Sequence, residues 1–175
     1  MERRDPIRVV PYDPAWPRLF EREAARLRPV LEPYATGALE HMGSTAVPGL
    51  AAKPIIDMFA TIGSYDDASA IAAALRPLGW VWAPEPDDDE LRRASFCFPD
   101  PEYRTHHLHA IEERSPHWGR WLTFRDALRR DAALAREYGA LKERLAREFA
   151  QDRDGYRTGK TEFVVTVLRS PSRPL

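Results

Sequence analysis

Glu40-His41-Met42-Gly43-Ser44-Thr45-Ala46-Val47-Pro48-Gly49-Leu50, followed two residues later by Lys53-Pro54-Ile55-Ile56-Asp57-Met58-Phe59-Ala60, is the stretch that decides how this chain folds. Both of its ends are short, apolar-rich and bounded by loop signals, which predicts two neighbouring strands over 37–42 and 53–60. Between them lies a Gly-Ser turn. A glycine at a strand end lets backbone N–H groups approach an anion closely, and the hydroxyls of Ser44 and Thr45 add donors. Asp57 is the ionisable outlier of its strand, and a buried carboxylate without a partner is costly. Lys53, a histidine or a metal ion can serve as that partner. The alternative is that Asp57 only ties down a turn.

Working outward, Asp13 before Pro14 reads as a helix cap, and Trp16, Leu19, Phe20, Leu27 and Leu31 recur at helical spacing up to about Pro33. A second helix is predicted over 66–77, a strand over 80–82, an acidic loop over 85–90, and strands over 94–98 and 105–111. From Ser115 the pattern turns helical. Ser115-Pro116 and Asp131 cap two helices, and a last helix carries Tyr156, Phe163, Val164, Val167 and Leu168. Strands first and helices afterwards describe an α+β domain, a mixed sheet covered by helices. The expected organisation is one domain over 1–175, sheet-rich over 1–113 and helical over 114–169, with a proline-rich tail at 170–175.

Composition narrows the function. Of the 175 residues 43% are apolar, enough for a real core, and a formal net charge of −1 argues against general nucleic-acid binding. The lone Cys97 sits in an apolar strand and reads as an inert core thiol. Without a signal segment or a membrane-spanning apolar run, the expected location is cytoplasmic. No apolar stripe is left over to set an oligomeric state.

In the strand over 105–111, alternation places Thr105, His107, His109 and Ile111 on one face and His106 and Leu108 on the other. Imidazoles about 7 Å apart at their β-carbons can converge on one ion. With Asp57 they make a two-histidine, one-carboxylate set, which favours Zn, Mn or Fe over Mg. The plainer reading gives one histidine to the sheet and the other to solvent. His41 is a further candidate, and His106 and His117 are expected to face solvent. Lys53, Arg104, Arg125, Arg129, Lys142 and Lys160 are candidates for an anionic ligand, Arg104 and Arg125 first because guanidinium forks suit phosphate. Tyr156 and Lys160, four apart, are expected on one helix face. Trp118, Trp121, Phe124 and Tyr138 form either a base-stacking wall or ordinary core.

The run His41 to Leu50 with Ala52 to Asp57 resembles the signature of the GrpB family (UPF0157). The likeness continues through Thr105-His106-His107-Leu108-His109, Phe124-Arg125-Asp126, Tyr138 with Lys142, and Tyr156 with Lys160. The resemblance implies a polymerase-β-type nucleotidyltransferase fold, in which a Gly-Ser turn holds the nucleotide phosphates and strand carboxylates bind divalent metal, usually Mg. Gly43, Ser44 and Asp57 match the turn and the first carboxylate. The second carboxylate, expected two residues on, is Phe59, so a two-metal site of the usual kind is incomplete. Three functions follow as expectations. The first is a metal-dependent nucleotidyl or phosphoryl transferase acting on a small acceptor. The second is a degenerate accessory module that binds a nucleotide or phosphorylated metabolite, linked to coenzyme A biosynthesis because family members occur fused to dephospho-coenzyme A kinase. The third is a histidine/aspartate metal-dependent hydrolase.

Overall fold

A computed structural model describes residues 7–169; the 170–175 tail lies outside them. The chain runs through α1 (Trp16–Leu31), β1 (Glu40–Met42), β2 (Ile56–Ile62), α2 (Ala68–Leu75), β3 (Val81–Trp82), α3 (Asp88–Leu91), β4 (Arg93–Pro99) and β5 (Arg104–Glu112). Four helices complete it: α4 (Pro116–Arg130), α5 (Ala132–Glu148), α6 (Arg153–Thr158) and α7 (Thr161–Arg169). The strands form one mixed sheet in the order β1-β2-β5-β4-β3, with β2 and β5 parallel and the other pairs antiparallel. The expected α+β architecture is the observed one.

Alternation along the strands separates two faces. Ile56 and Met58 of β2, Leu108 of β5 and Phe96 of β4 pack under Phe20 and Leu27 of α1 and Ile71 and Leu75 of α2. Each such fully buried side chain contributes roughly 1.5–3 kcal/mol, so this face holds the sheet together. The residues one step along, Asp57, His107, His109 and Ser95, share the opposite face. The parallel register sets Asp57 beside His107 and Phe59 beside His109. A second cluster of Val47, Leu50, Leu128, Ala135 and Tyr138 ties α4 and α5 to the turn after β1.

Several boundaries differ from expectation for local reasons. The Asp13 carboxylate accepts from the Ala15 N–H at 2.8 Å in a turn, and the helix starts only at Trp16. The Ser115 and Asp131 caps form as expected. The acidic segment is not all loop, because Asp88–Leu91 winds into a helical turn. The last helix is two, α6 capped by Asp152 and α7 beginning at Thr161, so Tyr156 and Lys160 do not share a helix. Near the start of β5 the register slips between Phe98 and Pro99, and Arg104 rather than Thr105 pairs with Pro99. Thr105 is thereby left out of the row containing His107 and His109 and is exposed.

Candidate functional site

Gly43 closes β1 with φ 68° and ψ −170°, a backbone conformation that is essentially reserved for glycine. Its placement has a second consequence: a β-carbon there would land on the Asp57 carboxylate. The turn and the acid are therefore in direct contact, and no other residue type permits it. The hydroxyl of Thr45 does not face the cleft. It donates to Ile55 O at 3.1 Å and meets His41 Nε2 at 3.1 Å, locking the turn from behind.

Asp57 and the histidine pair converge. His107 Nδ1–H donates to Asp57 Oδ1 at 3.0 Å, and the rings of His107 and His109 lie 5.9 Å apart. One ligand atom from each of Asp57, His107 and His109 falls within 4.8 Å of the others. Burial works to raise the Asp57 carboxyl, but the His107 hydrogen bond, with the positive charge of Lys53, outweighs it and holds it below its ordinary range. Burial, helped by Arg93 and His107, pushes His109 far down, so its ring is neutral. The nitrogen His107 Nε2 is buried with no hydrogen-bond partner among the described residues.

These groups open onto a cleft of about 540 Å³ whose walls include Gly43, Ser44, Asp57 and His109 on the sheet side and Trp121 and Arg125 on α4. Phe59 occupies the floor where a second carboxylate would stand. It packs against His109 at 4.6 Å between centroids and edge-on to Trp121 at 5.1 Å. Of the aromatic residues, Tyr138 stacks on Phe163 in the core, Trp118 lies 6.2 Å from Phe59, and Trp121, Phe124 and Tyr138 line the cleft.

The cationic candidates divide into two groups. Arg125 is committed to protein partners, Glu40 at 2.7 Å, Asp126 at 2.8 Å and the His41 carbonyl at 3.1 Å. Arg104 pairs with Glu85 at 3.0 Å, and Arg129 donates to the Ala46 carbonyl at 2.9 Å. The lysines gather elsewhere. Lys53 and Lys160 sit over the Tyr156 ring at 5.3 and 4.5 Å, and Lys142, over Tyr138, donates to the Ala51 carbonyl at 2.5 Å. Burial and then the Lys160 and Lys53 ammoniums push Lys142 down to about 7. Burial likewise lowers Lys160, and Asp57 opposes that shift. The three ammoniums share one neighbourhood, and the carboxylates of Asp57 and Glu143 oppose the shift of Lys142.

Three histidines are placed differently from expectation. His41 lies on the apolar face, stacked 4.7 Å from Phe20, and burial pushes it to about 4. His106 is not solvent-facing but buried beside Trp80 and Phe98. His117 lines the cleft, tilted over Trp121. The sequence also gave no notice of Asp88. Its carboxylate accepts from Arg93 Nε at 2.7 Å, Ser95 Oγ at 2.8 Å and the Glu85 N–H at 3.0 Å, and Ser95 Oγ in turn meets His109 Nδ1 at 3.0 Å. An acid in a run of acids carries no pattern that distinguishes the buried one. The only hint was Ser95, a hydroxyl in an apolar strand.

A mixed sheet of this order, with a Gly-Ser turn leading to an acidic strand paired in parallel with a second polar strand, is a polymerase-β-like nucleotidyltransferase fold. The crystal structure of the nucleotidyltransferase Cid1 with its short product ApU superimposes with a TM-score of 0.54, over 86% of this chain and 48% of Cid1, at 12% identity. The family model described as GrpB protein matches residues 6–170, and the chain belongs to that family. The crystal structure of GrpB from Enterococcus faecalis is similar with a TM-score of 0.80 and 32% identity, covering 92% of this chain and 94% of the other. A UPF0157 protein of Pseudomonas aeruginosa is 40% identical over 165 residues, 94% of this chain and 67% of the relative. The UPF0157 protein YqkA of Bacillus subtilis is 33% identical over 95% of this chain, which spans only 48% of that relative's length. An 80-residue stretch, 44% of this chain, is 38% identical to part of a dephospho-CoA kinase of Mycolicibacterium paratuberculosis, covering 19% of that enzyme. No helix among the described residues is long and apolar enough to cross a membrane.

Proposed function

We propose that this cleft binds a divalent cation together with a nucleotide or other phosphorylated small molecule, and transfers a nucleotidyl or phosphoryl group to a small acceptor. The observation that carries the reading is the convergence of Asp57, His107 and His109 beside the Gly43 turn. The donor set suits a cation: one carboxylate held ionised, one neutral imidazole, and His107 Nε2, a buried nitrogen with no hydrogen-bond partner among the described residues. Two nitrogens and one oxygen favour Mn, Zn or Fe over Mg. A cation there supplies neutralisation of the charge that develops on a transferring phosphoryl group.

The chain's own groups do the rest. The Gly43 turn and the Ser44 hydroxyl bring donors to the cleft wall next to Asp57. The cluster of Lys53, Lys142 and Lys160 offsets the charge of phosphates, and an anion opposes the burial and the neighbouring ammoniums that depress Lys142. Phe59 removes the second carboxylate and closes the floor against water.

Phe59 also favours a second reading, a module that binds the same ligand without turnover. The similarity to part of a dephospho-CoA kinase supports an accessory role near coenzyme A biosynthesis. One experiment separates the two. Purified protein with Mn is titrated with each of the four nucleoside triphosphates and with coenzyme A precursors, and the mixtures are analysed by mass spectrometry. Binding with transfer product supports the transferase; binding without product supports the module. No binding of any of these ligands overturns both.

A further inference from the structure

We propose that Ser95 and Asp88 are positioning residues that fix the tautomer of His109, holding the proton on Nδ1 and leaving Nε2 as the bare lone pair the site uses. The proton positions follow from counting donors. Asp88 Oδ1 faces Arg93 Nε at 2.7 Å and Oδ2 faces the Glu85 N–H at 3.0 Å. Both of these partners only donate, and Arg93 is a permanent cation whose bond is charge-assisted when Asp88 is a carboxylate. Asp88 is therefore an acceptor throughout, and the Ser95 hydroxyl, 2.8 Å away, must give it its single proton. Ser95 Oγ then has only lone pairs to offer His109 Nδ1 at 3.0 Å. That nitrogen carries the hydrogen. In the neutral ring Nε2 is left without one.

Burial makes this arrangement rigid. Ser95 and Asp88 are 2% and 3% exposed, and the Arg93 guanidinium that anchors them lies 5.6 Å over the Trp121 ring at the cleft wall. The β4–β5 register sets Ser95 opposite His109, so the hydroxyl meets the ring from the neighbouring strand. Outer partners of this kind orient a liganding imidazole and fix which nitrogen it presents. The use of Nε2 as a metal ligand rests on the function proposed above; the tautomer itself does not.

The test separates the two. The full chain, labelled with nitrogen-15 and free of metal at about pH 8, above the ordinary imidazole range, is read by long-range proton–nitrogen correlation. His109 is expected as the Nδ1–H tautomer. Ser95→Ala is expected to abolish that preference while leaving the His106 ring signals unchanged, and to weaken Mn or Zn binding by about 10- to 100-fold. Asp88→Ala, which takes away the acceptor of the Ser95 proton, is expected to act in the same direction and serves if Ser95→Ala fails to fold. An Nε2–H ring in the parent protein, or an unchanged His109 spectrum in both variants, overturns the proposal. The expected tautomer in a parent protein that binds no cation upholds the positioning and sinks only the metal reading.

Discussion

On β2, Ile56, Met58 and Ala60 lie against α1 and α2, whereas Asp57 and Phe59, one residue out of step, face the cleft beneath α4. β5 repeats the pattern, with His106, Leu108 and Ala110 in the core, His109 at the cleft and His107 bonded to Asp57 on the same face. One backbone thus serves two purposes at a spacing of a single residue. The apolar face works by removing carbon from water, with His41 and His106 as buried polar exceptions. The other face keeps a buried acid, two imidazoles and a serine in fixed mutual geometry, which stability alone does not require. The comparison teaches that the sites to perturb for stability and for ligand binding are neighbours in sequence and separable in effect.

The largest expected effect breaks the apolar face. Leu108→Ala should cost about 3 kcal/mol in chemical denaturation through lost transfer energy and a cavity, and should leave the ligand preferences of the remaining folded protein unchanged. Acid should act on the same face through His41. Its value in the fold, about 4, lies below the ordinary 6.5, so between these values the unfolded chain binds the extra proton. Stability should therefore fall as pH drops through that window, by up to about 3 kcal/mol. His41→Gln should flatten that slope in denaturation curves measured at about pH 7 and about pH 4.5.

Gly43→Ala touches both faces of the comparison. The backbone there excludes a side chain and the added carbon strikes Asp57, so a loss of about 2 kcal/mol is expected together with loss of cation binding. A variant of unchanged stability would show that the turn is not as tight as described. A smaller effect concerns the lysines. An anion favours the ammonium form of Lys142, so pyrophosphate binding should take up a proton and tighten severalfold as pH falls through about 7. Calorimetry in buffers of different ionisation enthalpy reads that proton directly, and Lys142→Met should remove both the uptake and the pH dependence.

Much of this arrangement is visible in the amino-acid order. The lone acid of β2, the alternation of His107 and His109 and the Gly-Ser turn are local patterns, and they carried the fold and the three converging groups. What escaped depends on contacts between distant segments. Alternation predicted that His106 opposes His107, but not that α1 and α2 would cover its side and bury it. His41 went to the core because β1 pairs with β2 in a register that sets it beside Met58. Thr105 lost its place to Arg104 through a slip that no pattern of polarity announces. Asp88 reaches His109 only because α3 folds back over β4, bringing together residues from a segment that reads as solvated acid.

Asp57 is where the account is most exposed. Replacing it by alanine removes an acid whose His107 bond outweighs its burial, so a modest loss of stability, about 1–2 kcal/mol, is expected beside the effect on binding. The direct measurement is Mn binding followed by electron paramagnetic resonance, with and without nucleoside triphosphate. The parent protein is predicted to bind one ion per chain and Asp57→Ala none. Equal binding by the two, or none by the parent, would contradict the assignment of this cleft.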